Sequence, residues 1–133
     1  MSAKSKPVIL VVDDEESIRR NLREYLQDEG FDVQTAESGE EALDLLPLLK
    51  PDLAVVDIRL PGMDGNAFIM EAHRLCPSMR FLVFTGSIEY SLPPELQAMG
   101  LAEEHVLRKP LQNLSVMSER IEMQIGTRSI RHE

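Results

Sequence analysis

The sequence predicts a doubly wound α/β domain, a single parallel sheet of five strands flanked by five helices. Three observations predict it. Short apolar runs rich in β-branched residues, clearest at 8–12, 53–56 and 80–85, read as strands buried on both faces. Segments between them repeat their apolar residues at helical spacing. The two kinds of segment alternate along the chain, as strand–helix–strand units with right-handed crossovers do.

Taken in order, Val8 to Val12 is the first strand and stops abruptly at Asp13-Asp14-Glu15-Glu16. Residues 17–29 place Ile18, Leu22, Tyr25 and Leu26 on one helical face, with Gly30 as the stop. Phe31 to Ala36 alternates apolar and polar residues, the pattern of an outer strand. Ser38 and Glu41 have capping-box spacing, which starts a helix running to Leu46, and Pro47 and Pro51 bracket the way into the next strand. Leu53 to Val56 is the central strand, and Pro61-Gly62 and Asp64-Gly65 after it are tight turns. Phe68, Ala72 and Leu75 mark a third helix, closed near Pro77. Arg80 to Thr85 is the fourth strand. Pro93-Pro94 can begin a helix but not lie inside one, so a short helix is expected from about 94 to 99. Val106-Leu107 is the heart of a brief fifth strand. A last helix from Leu111 to about Ile125 carries Leu114, Met117, Ile121 and Ile125, and Gly126 ends it.

The chain of 133 residues fits one domain with a core of its own. The expected division is a disordered tail at 1–6, a domain at 7–126 and a second tail at 127–133. The net charge of −9 argues against nonspecific binding to nucleic acid or an anionic membrane. The only cysteine, Cys76, rules out an intramolecular disulfide or a cysteine zinc site and reads as a small buried hydrophobe. No signal-peptide core or membrane-length apolar run is present, so a soluble, cytoplasmic protein is expected.

Four of the five strands end in residues able to do chemistry: Asp13 and Asp14, Asp57, Thr85 and Lys109. Asp57 alone reads equally as the cap of the following turn, and a strand-end lysine is usually a solvated charge. The predicted sheet brings all four ends to its carboxyl edge, where such folds bind ligands. Three carboxylates supply hard oxygen ligands for Mg²⁺, and Lys109 offsets part of their charge. A near-neutral pocket of this kind accepts a phosphoryl group, and a hydroxyl with adjacent backbone N–H groups can donate to its oxygens.

Across 7–126 the sequence resembles the receiver domain of bacterial two-component response regulators. The resemblance rests on VVDDEESIR at 11–19, VVDIRLPGMDG at 55–65, FTG at 84–86 and RKP at 108–110, in that order and spacing. It implies a flavodoxin-like sheet of order 2-1-3-4-5. It makes Asp57 the phosphoacceptor, served by the phosphohistidine of a sensor histidine kinase or a histidine phosphotransfer protein. It gives Mg²⁺, with Mn²⁺ suited to the same ligands, to Asp13, Asp14, Asp57 and the backbone carbonyl of Arg59. Thr85, Gly86 and Lys109 would bind the phosphoryl group, Thr85 would act as the switch, and Lys109-Pro110 would be a cis peptide. The implied output is a downstream protein or domain, with a homodimer among the assemblies the family uses. Neither nucleic acid nor membrane is a direct partner, and catalysis extends no further than the domain's own phosphorylation and dephosphorylation.

Two departures bear on the output. The position where relatives often carry an aromatic switch residue is Val106, with His105 beside it. Tyr90 is the only aromatic in the 86–92 segment and is the candidate to replace that ring, against the plainer reading of a solvent-exposed loop tyrosine. His73, His105 and His132 show no metal-ligand spacing and read as surface or structural residues, while Glu15 and Glu16 read as charges at a helix start. Two other functions compete. A phosphohydrolase using an aspartyl phosphate would place its acids two apart at the end of strand one, which Asp13-Asp14-Glu15-Glu16 does not. A docking module without chemistry would have no use for all five site residues, while the altered output surface around Val106 and Pro93-Pro94 speaks for it.

Overall fold

The computed structural model describes residues 6–126. Five parallel strands run β1 (Val8–Val12), β2 (Asp32–Ala36), β3 (Leu53–Val56), β4 (Arg80–Thr85) and β5 (Val106–Arg108), in the spatial order β2-β1-β3-β4-β5. Five helices alternate with them: α1 (Glu16–Asp28), α2 (Gly39–Leu49), α3 (Gly65–Leu75), α4 (Pro94–Ala98) and α5 (Ser115–Ile125). A 3-10 turn, Glu103–His105, leads into β5. The expected tails, apart from Lys6, lie outside the described residues, as does His132.

Alternation along each strand divides the core in two. Leu10, Val12, Ala54, Val56, Phe81, Val83 and Val106 face α2, α3 and α4. Ile9, Val11, Leu53, Val55, Leu82, Phe84 and Leu107 face α1 and α5. Because β1, β3 and β4 are covered on both sides, both parities are apolar. That is why they read as unbroken runs and β2, at the edge, does not. Phe68 on α3 is fully buried, and truncating such a side chain to alanine costs about 3–5 kcal/mol.

Three sequence expectations are corrected. The second helix does not stop at Leu46: Pro47 lies inside its last turn, and the helix continues to Leu49. Proline there forfeits its own N–H bond to Leu43 but no bond beyond it in the last turn, and Lys50 closes the end in the left-handed region (φ 48°) with its N–H donated to the Leu46 carbonyl at 2.9 Å. The last helix begins at Ser115 rather than Leu111, since Asn113 Oδ1 accepts the Ser115 N–H at 2.9 Å and starts it there. Leu111 and Leu114 still pack on the core, from the connection rather than the helix. Leu75 and Cys76 are also more open than read: Leu75 is exposed and Cys76 is half-buried at the end of α3.

Candidate functional site at the carboxyl edge of the sheet

The sheet's hydrogen bonding runs one residue past the strands and fixes the site's backbone. Asp13 N–H donates to the Ala36 carbonyl (3.1 Å), Asp57 N–H to Val12 (2.9 Å) and Lys109 N–H to Thr85 (2.8 Å). Asp13, Asp57 and Lys109 are thus delivered to one edge by the same ladder that forms the fold. Carboxylate oxygens of Asp13, Asp14 and Asp57 all lie within 4.8 Å of one another. Asp13 and Asp57 are buried and Asp14 is exposed. This donor set fits a hard divalent cation, which takes carboxylates and completes its shell with water.

Lys109 is the counter-charge. Its Nζ donates to Asp13 Oδ2 at 2.8 Å and stands 3.5 Å from both Asp57 Oδ2 and Glu15 Oε1. It also lies 5.5 Å from the centre of the Phe84 ring. Burial draws the Lys109 pKa down, but the hydrogen bond to Asp13 and the charges of Asp13, Asp57 and Glu15 outweigh it, leaving it above the ordinary lysine value. Burial lifts Asp13 above the usual carboxylate value, against the pull of Lys109. Asp57 is likewise raised, by burial first and then by the charge of Asp13. Without a cation the site therefore holds two carboxylates reluctant to ionise, competing for one ammonium.

Each loop around the cluster has its own anchor. Arg19 on α1 donates Nη1 to the Asp13 carbonyl at 2.8 Å, and Glu15 N–H donates to Asp13 Oδ1 at 2.9 Å. On the β3–α3 loop, Arg59 N–H donates to Asp57 Oδ1 (3.3 Å) and Met63 N–H to Glu40 Oε2 on α2 (3.1 Å). Gly65 opens α3 pressed against the backbone just past β3. A methyl there would run into the Asp57 carbonyl oxygen and stand 2.7 Å from Ile58 Cα, so the position admits glycine alone. Asp64 caps the helix, its Oδ1 accepting the Ala67 N–H at 2.8 Å.

Thr85 ends β4 fully buried, and its Oγ1 accepts the Ser87 N–H at 3.1 Å. Gly86 follows, with Lys109 Cδ 4.0 Å from where a Cβ would sit. The Lys109–Pro110 peptide is cis. Val106 is buried in the α2–α4 side of the core. Tyr90 is half-buried rather than free in the loop: its hydroxyl donates to Asn66 Oδ1 on α3 at 2.7 Å. Burial, then Asp64 and Glu103, push its pKa up to about 12.

The structure thus brings Asp13, Asp14, Asp57, Thr85 and Lys109 to one edge, with Arg59 and Gly86 adjoining and Tyr90 and Val106 on the α3–α4 side. Sequence reasoning missed Glu15 as a partner of Lys109, Glu40 and Arg19 as loop anchors, and Arg108, whose guanidinium reaches the 86–92 loop. Glu15, Arg19 and Arg108 stand inside the motifs at 11–19 and 108–110, whereas Glu40 lies outside every motif. His105 is structural: its Nδ1 accepts the Ala102 N–H at 2.9 Å, and Nε2 lies 3.1 Å from Gln124 Oε1.

A parallel sheet of this order with an acidic cluster and a lysine at its carboxyl edge defines a class, the flavodoxin-like domain built around an acidic pocket. The chain belongs to the response regulator receiver domain family, whose model matches residues 9–122. It is 33% identical over 92 residues to sporulation initiation phosphotransferase F of Bacillus subtilis, covering 69% of this chain and 74% of that one. Several further relatives, 38% identical over 102 residues, are response regulators of which the chain spans 43–44%. Among solved structures it resembles a receiver domain protein (CheY-like) from Methanospirillum hungatei JF-1, with TM-score 0.79 and 29% identity over 95% of this chain and 98% of that one. It also resembles the response regulator TrrA from Thermotoga maritima in complex with Mg²⁺ and BeF, with TM-score 0.76 and 31% identity over 89% and 98%. The chain is a receiver domain of phosphorelay signalling. Among the described residues no helix is long and apolar enough to cross a membrane.

Proposed function

We propose that Asp57 is the residue through which this receiver, residues 7–126, accepts its phosphoryl group. An Asp57 carboxylate oxygen bonds to phosphorus as the phosphorus–nitrogen bond of a partner's phosphohistidine breaks, and the departing imidazole nitrogen takes a proton. The observation that carries the reading is the position of Asp57: at the end of the central strand, within 4.8 Å of two further carboxylates and 3.5 Å from Lys109. Asp13, Asp14, Asp57 and the Arg59 carbonyl would hold Mg²⁺, or Mn²⁺ on the same oxygen ligands. The cation would neutralise charge on the transferring group. Lys109 pairs with the phosphoryl oxygens, and Thr85 and the Gly86 N–H donate to them. Thr85 is the switch. Val106 has no ring to swing, and Tyr90 in the adjoining loop takes part in its place.

The donor is a sensor histidine kinase or a histidine phosphotransfer protein in the cytoplasm, and the recipient is a downstream protein or domain, with self-association through a homodimer as one form of output. A groove of about 550 Å³ between α1 and the β5–α5 connection opens beside Lys109, with Ile18, Tyr25, Phe84 and Leu111 in its walls. It suits a helix presenting a phosphohistidine. The domain's own catalysis is limited to gaining and losing this group, and neither nucleic acid nor membrane is its direct target.

Incubation with acetyl phosphate, followed by intact mass, tests this. One phosphoryl group is expected with Mg²⁺, none after chelation, and none on Asp57→Asn. Equal modification of the variant, or modification indifferent to metal, overturns the assignment.

A further inference from the structure

Thr85 and Arg108 are register partners across β4 and β5, and the next residue along, Lys109, donates its N–H to the Thr85 carbonyl at 2.8 Å. Strand alternation puts the Arg108 side chain on the same sheet face as Val106, toward α3 and α4. From there its guanidinium spans the loop after β4: Nη1 donates to the Ser87 carbonyl at 2.7 Å and Nη2 to the Tyr90 carbonyl at 3.0 Å. Glu103 Oε1 stands 3.8 Å from Nη2. The far side of the loop is tied by the Tyr90 hydroxyl to Asn66 on α3. Packing does little between these ties, since Ile88 at the tip is 85% exposed. The Ser87 whose carbonyl Arg108 holds is also the residue whose N–H occupies Thr85 Oγ1.

We propose that Arg108 restrains the 87–90 loop in the arrangement that keeps Thr85 Oγ1 engaged with the Ser87 N–H, so that this arginine sets how readily the site responds to a phosphoryl group. The inference rests on the phosphoacceptor reading above and concerns its regulation. For Thr85 to turn toward an acceptor on Asp57, the Ser87 N–H must lose its partner, and Ser87 cannot follow while the guanidinium holds its carbonyl. Charge-assisted bonds to two carbonyls from a half-buried arginine favour the unengaged state. A ligand that selects the other state then binds with part of its affinity spent on breaking them.

Beryllofluoride with Mg²⁺, a phosphoryl mimic, supplies the test, with affinity read by calorimetry on wild type, Arg108→Ala, Arg108→Lys and Tyr90→Phe. Arg108→Ala is expected to bind it about three- to tenfold more tightly, and its unliganded 87–90 amides are expected to exchange faster. Arg108→Lys, with one compact ammonium, should fall between, and Tyr90→Phe should move the same way by less. Affinity equal to or weaker than wild type in Arg108→Ala, or unchanged loop exchange, overturns the proposal. If that variant does not fold, Arg108→Lys and Tyr90→Phe decide, and no shift in either overturns it. Failure of the wild type to bind beryllofluoride at all is a separate result, which removes the phosphoacceptor reading and this inference with it.

Discussion

The carboxyl edge of the sheet has two halves built from different materials. On the β1–β3 side, Asp13 and Asp57 are set by ladder hydrogen bonds and by the bare contact of Gly65 with the backbone of Asp57 and Ile58 just past β3. On the β4–β5 side, the 87–90 loop is held by side chains, the Arg108 guanidinium and the Tyr90 hydroxyl, with an exposed isoleucine at its tip. Backbone and close packing cannot be released without unfolding, whereas two side-chain ties can. The difference separates a half fixed by backbone from a half whose loop hangs on side chains, which is what the proposed switch requires.

The largest effect should come from breaking the fixed half. Gly65→Ala drives a methyl into the Asp57 carbonyl and Ile58 Cα, and overpacking of this kind costs about 1–3 kcal/mol. Urea unfolding measures it, and a loss near zero would show that α3 can slide on β3. A smaller effect, of opposite sign, is expected from Asp57→Asn without metal. The folded pKa of Asp57 is raised, so its ionised form costs stability above that pKa. The cost fades as pH falls from there toward the unfolded value of about 3.9. In chelator the variant should therefore melt higher than wild type at neutral pH, with the gap closing as pH is lowered through the acid range. A gap that widens on acidification would mean that Lys109 outweighs burial. The smallest effect belongs to the loop: Ile88→Ser should change stability by no more than about 0.5 kcal/mol. A larger loss would mean that packing, rather than the arginine, holds that half.

The same division explains what was legible in the sequence. Strands buried on both faces must be apolar at every position, so Val8–Val12 and Leu53–Val56 announce themselves, and the polar residue that breaks each run is a site residue. Ser38 was readable because caps need particular side chains, although the Glu41 carboxylate takes the Glu37 N–H rather than that of Ser38, while Asp64 read as a turn residue and proves to be the cap of α3. The start of α5 was not readable. Leu111 and Leu114 extend the apolar pattern, and only the Asn113 turn reveals that they lie before the helix. Gly65 looked like a turn residue because a sequence cannot show what a missing Cβ would strike. Arg108 entered the sequence reading only as part of RKP, since bonds to carbonyls 18 and 21 residues away leave no local pattern to show its role.

The sheet itself has a consequence for how many molecules this domain can entertain at once. Lys109 and Phe84 open into the groove beside α1, on one face, while Tyr90 and Val106 pack on the other. A visitor seated in the groove covers residues 18–28 and 109–114 and leaves the 86–92 loop bare. Five strands of closely packed backbone stand between the two addresses. If the donor sits in the groove as proposed, a recipient that reads the 86–92 loop would not compete with it for the same surface.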